Sequence, residues 1–112
     1  MTRSDDERLA DILEATDQIA SLVSRGHTAF ESDIAIRLAI ERLLEIIGES
    51  ANRLSANAQD RYPNAAWRDI TRLRILLAHQ YHRVDRNQVW QIAIDEAPNL
   101  ARILRPADAV DG

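Results

Sequence analysis

The stretch LRILLAHQYHRVD, residues 73–85, places charged and titratable side chains inside an otherwise apolar run. Arg74 stands among Leu73, Ile75, Leu76 and Leu77, and His79 and Tyr81 follow within two further helical turns. Charged side chains are rarely buried without a partner, so Arg74 needs a use for its charge. A guanidinium presents a rigid fork of donors that matches phosphate oxygens. An imidazole titrates near neutrality and can give or take a proton. A purely structural alternative stays open at this point. Arg74 would then pair across the molecule with an acid such as Glu49, and His79 and Tyr81 would mark a helix end.

Other chemistries find less support. The chain has no Cys, which removes disulfides, thiolate metal sites and thiol nucleophiles. Its three His are scattered, and His79 and His82 lack the Glu-x-x-His pattern of helical metal sites. No metal and no cofactor are expected. There is no Gly-rich phosphate loop and no nucleophile elbow. His27, beside Gly26, reads as a turn residue. Glu41, Glu45 and Glu49 recur at spacing four, the pattern of a solvated helix face.

The elements that must position these residues are helices. With 112 residues, three Gly and three Pro, the chain suits one domain, residues 1–112, and not a turn-rich β fold. A first helix from about Asp5 to Arg25 carries Leu9, Ile12, Leu13, Ile19 and Val23 at helical spacing, with Ser4 and Glu7 as a capping box and Gly26 as its stop. A second runs from about Asp33 to Leu54 with Ser32 as cap, and its internal Gly48 points to a close helix crossing. Residues 55–65 read as a loop, with Pro63 biasing Tyr62 away from helix. A third helix runs from about Ala65 to Gln80, with Trp67, Ile70, Leu73 and Leu77 inward and Ile75 and Leu76 left over as spare apolar surface. A fourth runs from about Arg86 to Leu104, kinked or split near Glu96 by Pro98. Residues 105–112 read as a frayed tail. The expected architecture is an all-α, antiparallel four-helix bundle with a kinked or split last helix.

Net charge is -4, yet the charge is uneven. Residues 66–86 hold Arg68, Arg72, Arg74, Arg83 and Arg86 against only Asp69 and Asp85, while residues 1–33 hold eight acids against three Arg. An acidic surface with one basic segment opposes indiscriminate nucleic-acid binding and leaves one local site attractive. No apolar run reaches the roughly 18 residues of a membrane span, and the acidic N-terminus does not read as a signal peptide. A cytoplasmic protein without membrane contact is expected.

Arg74, His79 and Tyr81 together form R-x4-H-x-Y, and this motif resembles that of the HEPN superfamily, specifically HepT-like toxins of HepT–MNT toxin–antitoxin modules. An Arg–His pair at such spacing arises about once by chance here, whereas the full motif arises roughly 0.006 times. The resemblance extends through LADILEATDQIASLV, LLEIIGESANRLS, PNAAWRDITRLR and VDRNQVWQIAIDEAPNL, nearly the whole chain. It implies a metal-independent endoribonuclease, the toxin of a type VII-like module. RNA carries its own nucleophile, the 2′-OH, so Arg74 would hold the phosphate and His79 would move protons. A symmetric homodimer would bring two such pairs into one cleft. Five residues of ideal helix separate Arg74 from His79 by about 140°, so one site can use both only between chains or where the helix distorts. Tyr81 would receive AMP from a cognate nucleotidyltransferase antitoxin, which would block the cleft. Arg68, Arg72 and Arg83 are candidate contacts to the RNA backbone, and Glu49 a candidate support for Arg74. Ile75 departs from the polar residue, often Asn, that the family commonly carries after the Arg. That departure favours an alternative: a non-catalytic helical dimer that docks a nucleotidyltransferase.

Overall fold

In a computed structural model of the chain, which describes residues 3–79 and 85–105, the described residues are helical and contain no strand. The order is α1 (Asp5–Val23), α2 (His27–Ser32), α3 (Ile34–Asn52), α4 (Ala56–Asp60), α5 (Trp67–His79), α6 (Arg86–Gln91), a π-helical turn (Ile92–Glu96) and α7 (Ala97–Leu104). No helix of the described residues is long and apolar enough to cross a membrane.

The long helices begin where their caps allow. Ser4 accepts from the Glu7 amide at 3.1 Å and Glu7 accepts from the Ser4 amide at 2.8 Å, which closes the expected capping box of α1. The chain then turns at Gly26, whose φ of 97° suits a residue without a Cβ. The cap of α3 is Asp33 and not Ser32: its carboxylate accepts from the Ala35 amide at 2.9 Å. Ser32 instead ends α2, its hydroxyl donating to the Thr28 carbonyl.

Two segments expected as loops contain short helices. Residues 27–32 form α2, which buries Phe30. Residues 56–60 form α4, capped by Ser55 and burying Ala58. The third long helix, α5, starts at Trp67, two residues later than its apolar periodicity suggests. The Trp67 indole donates to the carbonyls of Gln59 and Tyr62 and ties the start of α5 to the preceding turn.

The last helical segment is continuous rather than broken. Pro98 lacks an N–H, so the bond it would send back four residues cannot form. The chain absorbs this one turn earlier as a π turn, where the Ala97 amide reaches the Ile92 carbonyl five residues back. At the end of the described residues Arg105 pairs with Asp17, with both carboxylate oxygens within 2.8 Å. Residues 106–112 lie outside the described residues.

The core is a single cluster. α3 packs most extensively on α5 and α1, and α7 and the π turn close over α1. Ile12, Ile19, Phe30, Ile40, Leu44, Ile47 and Val89 are the large side chains with almost no exposure. These come from α1, α2, α3 and α6, and smaller or less deeply buried side chains of α4, α5, the π turn and α7 join the same cluster.

Candidate functional site

Arg74 lies in the middle of α5, on the stretch that crosses α3. Gly48 of α3 makes this crossing close. A Cβ there would stand 2.6 Å from the Arg74 amide nitrogen and 3.2 Å from both the Ile70 carbonyl oxygen and the Leu73 Cβ. The Arg74 backbone is therefore pressed against bare helix backbone, as the mid-helix glycine suggests.

The Arg74 side chain is half-buried. Its Nε is fully buried and has no hydrogen-bond partner among the described residues. A buried donor without a partner costs free energy, on the order of 1–3 kcal/mol. Glu49 does not supply the partner. Its carboxylate stands 4.0 Å from Arg53 on its own helix, and no ion pair joins it to Arg74 among the described residues. Among the described residues, Arg74 Nε is thus left with unused donor capacity.

His79 closes α5. Its side chain, together with Tyr81 and Arg83, lies outside the described residues. Arg68 and Arg72 are exposed on α5, and neither makes an ion pair among the described residues. Asp85, the neighbouring acid in the sequence, is instead the N-cap of α6 and accepts from the Asn87 amide at 2.9 Å. Ile75, directly after Arg74, is 46% exposed, and Leu76 is half-buried.

A groove of about 590 Å3 opens between α5 and the α6–π segment. Asp69, Arg72, Gln88, Gln91 and Glu96 line it with Leu73, Ile75, Leu76 and Ile92. Sequence reasoning did not single out Gln88, Gln91 or Glu96. Each is an exposed polar residue on an amphipathic helix, a pattern that reads as ordinary solvated surface.

Residues elsewhere have structural roles. His27 packs at a tilt against Trp90, with ring centroids 4.9 Å apart, and lies 3.3 Å from Glu31, so it helps hold α2 to α6. Glu41, Glu45 and Glu49 are half-buried rather than fully solvated. Burial pushes the Glu41 carboxyl above its ordinary range, and Arg37 partly offsets this. No group of three or more His, Asp or Glu able to hold a metal ion occurs among the described residues.

Comparison with known proteins identifies the family to which the whole fold belongs. The family model described as "Ribonuclease HepT-like" matches residues 12–107. A Methanocaldococcus jannaschii protein named "Putative RNase MJ1380" is 33% identical over 95 residues, covering 84% of this chain and 87% of its own length. A Thermococcus cleftensis protein named "Probable ribonuclease HepT" is 32% identical over 101 residues, covering 89% of this chain and 92% of its own. No solved structure matches the chain.

Proposed function

Because this chain belongs to the HepT-like ribonuclease family, we propose that it is a metal-independent endoribonuclease and the toxin of a toxin–antitoxin module. The observation that carries the reading is Arg74: a half-buried guanidinium on the motif helix, with a buried Nε unpartnered among the described residues. Such a group stabilises charge that arrives with a substrate. A phosphodiester passing through a dianionic phosphorane supplies that charge.

The reaction needs no protein nucleophile. His79 takes the proton from the RNA 2′-OH, the oxygen attacks phosphorus, and the 5′-oxygen leaves with a proton. The product is a 2′,3′-cyclic phosphate. Arg74 holds the non-bridging oxygens throughout. One His per chain must serve as both base and acid, unless a second copy provides the other. Purified protein should cleave RNA in the presence of EDTA and leave cyclic phosphate ends. His79→Ala should remove the cleavage. Cleavage that persists in His79→Ala, or that requires magnesium, overturns the mechanism.

Regulation follows the same chemistry. A nucleotidyltransferase partner would activate the Tyr81 phenol to attack the α-phosphorus of ATP, with pyrophosphate leaving and the phenolic proton released. The adduct adds roughly 329 Da and one negative charge beside His79. Both features exclude RNA phosphate. Mass spectrometry after incubation with the partner and ATP should place AMP on Tyr81, and Tyr81→Phe should escape inhibition. An adduct on Tyr62, or neutralisation with no adduct, overturns this.

A second reading rests on one observation. Ile75 presents an exposed apolar side chain where the family commonly has a polar one. A non-catalytic helical partner that docks a nucleotidyltransferase would keep the fold and need no RNA contact at that position. Growth inhibition on expression without the partner separates the two.

A further inference from the structure

The groove between α5 and the α6–π segment is not explained by cleavage chemistry alone. It abuts the motif helix but takes its polar character from elsewhere. Asp69 and Arg72 come from α5, Gln88 and Gln91 from α6, and Glu96 from the end of the π turn. Among the described residues, none of these five side chains makes a hydrogen bond or an ion pair. Elsewhere on the surface, charges are often paired, as Arg3 is with Asp11 and Arg105 with Asp17. Leu73, Leu76 and Ile92 add apolar surface to the same groove.

Its described lining disfavours one obvious occupant. Among the described residues, two carboxylates face a single guanidinium, a balance that does not favour a phosphate within the groove. A flat, uncharged, hydrogen-bonding ring suits it better. Single-stranded RNA presents such rings, and proteins read them by apolar or stacking contact with one face and hydrogen bonds to an edge. Carboxylates accept hydrogen bonds and never donate when ionised, so they select base edges that carry donors. Guanine offers two donors side by side. Uracil offers one donor between two carbonyl oxygens, both of which a carboxylate repels. The volume, about 590 Å3, falls in the range typical of small-molecule sites.

We propose that this groove is a nucleobase subsite that selects guanine over uracil in the bound RNA strand, with Glu96 and Asp69 as acceptors and Gln91 and Gln88 completing the edge. The proposal rests on the ribonuclease reading and adds a source of sequence preference to it. Arg72, at the same groove, is placed to hold the adjoining backbone phosphate. The π turn is part of the site. Its first and last residues, Ile92 and Glu96, both line the groove, and such turns recur at functional positions.

The test uses the whole chain and short 2′-O-methyl RNA oligonucleotides, which cannot be cleaved through the 2′-oxygen, identical except for one central base. Fluorescence anisotropy should show guanine bound about tenfold more tightly than uracil. Glu96→Gln combined with Asp69→Asn should bring the two within about twofold of each other, with the helical circular dichroism unchanged. Gln91→Ala, a milder change on a different helix, should lower the same preference. Equal affinity for all bases in the native chain overturns the proposal, as does a preference that survives every variant. If these substitutions instead alter only self-association, the groove is occupied by a second copy and the proposal falls. Cleavage of unmodified RNA without base preference would refute the subsite and keep the ribonuclease. Guanine preference without cleavage would do the reverse.

Discussion

Arg74 illustrates how a single side chain can be placed by backbone geometry and still be left unsatisfied. Its amide nitrogen faces Gly48 at a distance that no Cβ would tolerate, while its Nε is buried without a partner among the described residues. The close crossing therefore fixes the Arg74 backbone, and on the proposed reading the guanidinium meets a substrate phosphate. A lysine at this position would keep the charge but lose the planar fork. Arg74→Lys should accordingly lower RNA cleavage by at least about tenfold while leaving the melting temperature close to that of the native chain. Native-like cleavage by Arg74→Lys would mean that charge alone suffices. Arg68, Arg72 and Arg83 make a different prediction, because their proposed contact is with the RNA backbone rather than the reacting phosphate. Each Arg→Ala change should weaken binding modestly at every sequence and reduce the slope of log affinity against log salt by about one unit. An unchanged slope in all three would leave the basic segment as ordinary surface. Of the residues proposed to act, Arg74 was legible because a lone charge interrupts an apolar run. Glu96 and Gln91 were not, because nothing distinguishes an exposed polar residue facing a groove from one facing water.

At the scale of elements, the crossing of α3 and α5 is the contact on which the site depends. An alanine at Gly48 would gain up to about 1 kcal/mol of helix propensity. It would also force apart two backbones, and overpacking of this kind costs about 1–3 kcal/mol. Gly48→Ala should therefore destabilise the chain by about 1–2 kcal/mol in thermal or urea unfolding, and reduce cleavage further by displacing Arg74. An unaltered unfolding midpoint would show that the crossing is looser than described. A second contact joins the start of α1 to α4. Asp5 accepts from the Ser55 hydroxyl at 2.7 Å and from its amide at 3.0 Å, and these bonds hold the Asp5 carboxyl below its ordinary range. A lowered folded value favours the folded state above the ordinary carboxylate range and is lost as pH falls through that range and below. Ser55→Ala should thus lower the melting temperature at neutral pH and flatten its decline between about pH 5 and pH 3, where Asp5 titrates in the unfolded chain. A decline as steep as in the native chain would assign the acid sensitivity elsewhere. The long helices could be read from the chain because Leu9, Ile12 and Ile19, or Ile40, Leu44 and Ile47, repeat at helical spacing and bury one face. α2 and α4 could not. Each is too short for periodicity, and each is fixed by one buried residue, Phe30 or Ala58, whose burial is a tertiary fact. Pro98 announced a disturbance in the last helix, but whether the chain kinks or widens into a π turn depends on packing against α1.

For the whole molecule, the remaining question is assembly. Two exposed apolar patches are candidates for a subunit contact. One is Ile75 on α5, 46% exposed, and the other is Ile34 and Leu38 near the start of α3, 61% and 55% exposed. Only the first lies beside Arg74. Arg74 and His79 are about 140° apart around an ideal helix, so a cleft between two α5 helices would let one chain's Arg and the other's His face the same phosphate. We expect a homodimer about α5, with Ile75→Asp monomeric and Leu38→Asp still dimeric in light scattering at tens of micromolar. Electrostatics sharpens this. Residues 66–86 carry five Arg against two Asp, so a dimer about α5 apposes two basic segments in a protein of net charge -4. That repulsion weakens self-association at low salt and concentrates positive potential where RNA must enter. Added salt screens both effects, with a Debye length of about 10 Å at 0.1 M. The consequences have opposite signs: raising salt should tighten the dimer while it weakens RNA binding. A dimer about the Leu38 patch would leave the basic segments apart and show no such strengthening. A monomer at these concentrations, or a dimer split by Leu38→Asp and indifferent to Ile75→Asp, would remove the composite cleft and leave each chain's single His to act as both base and acid.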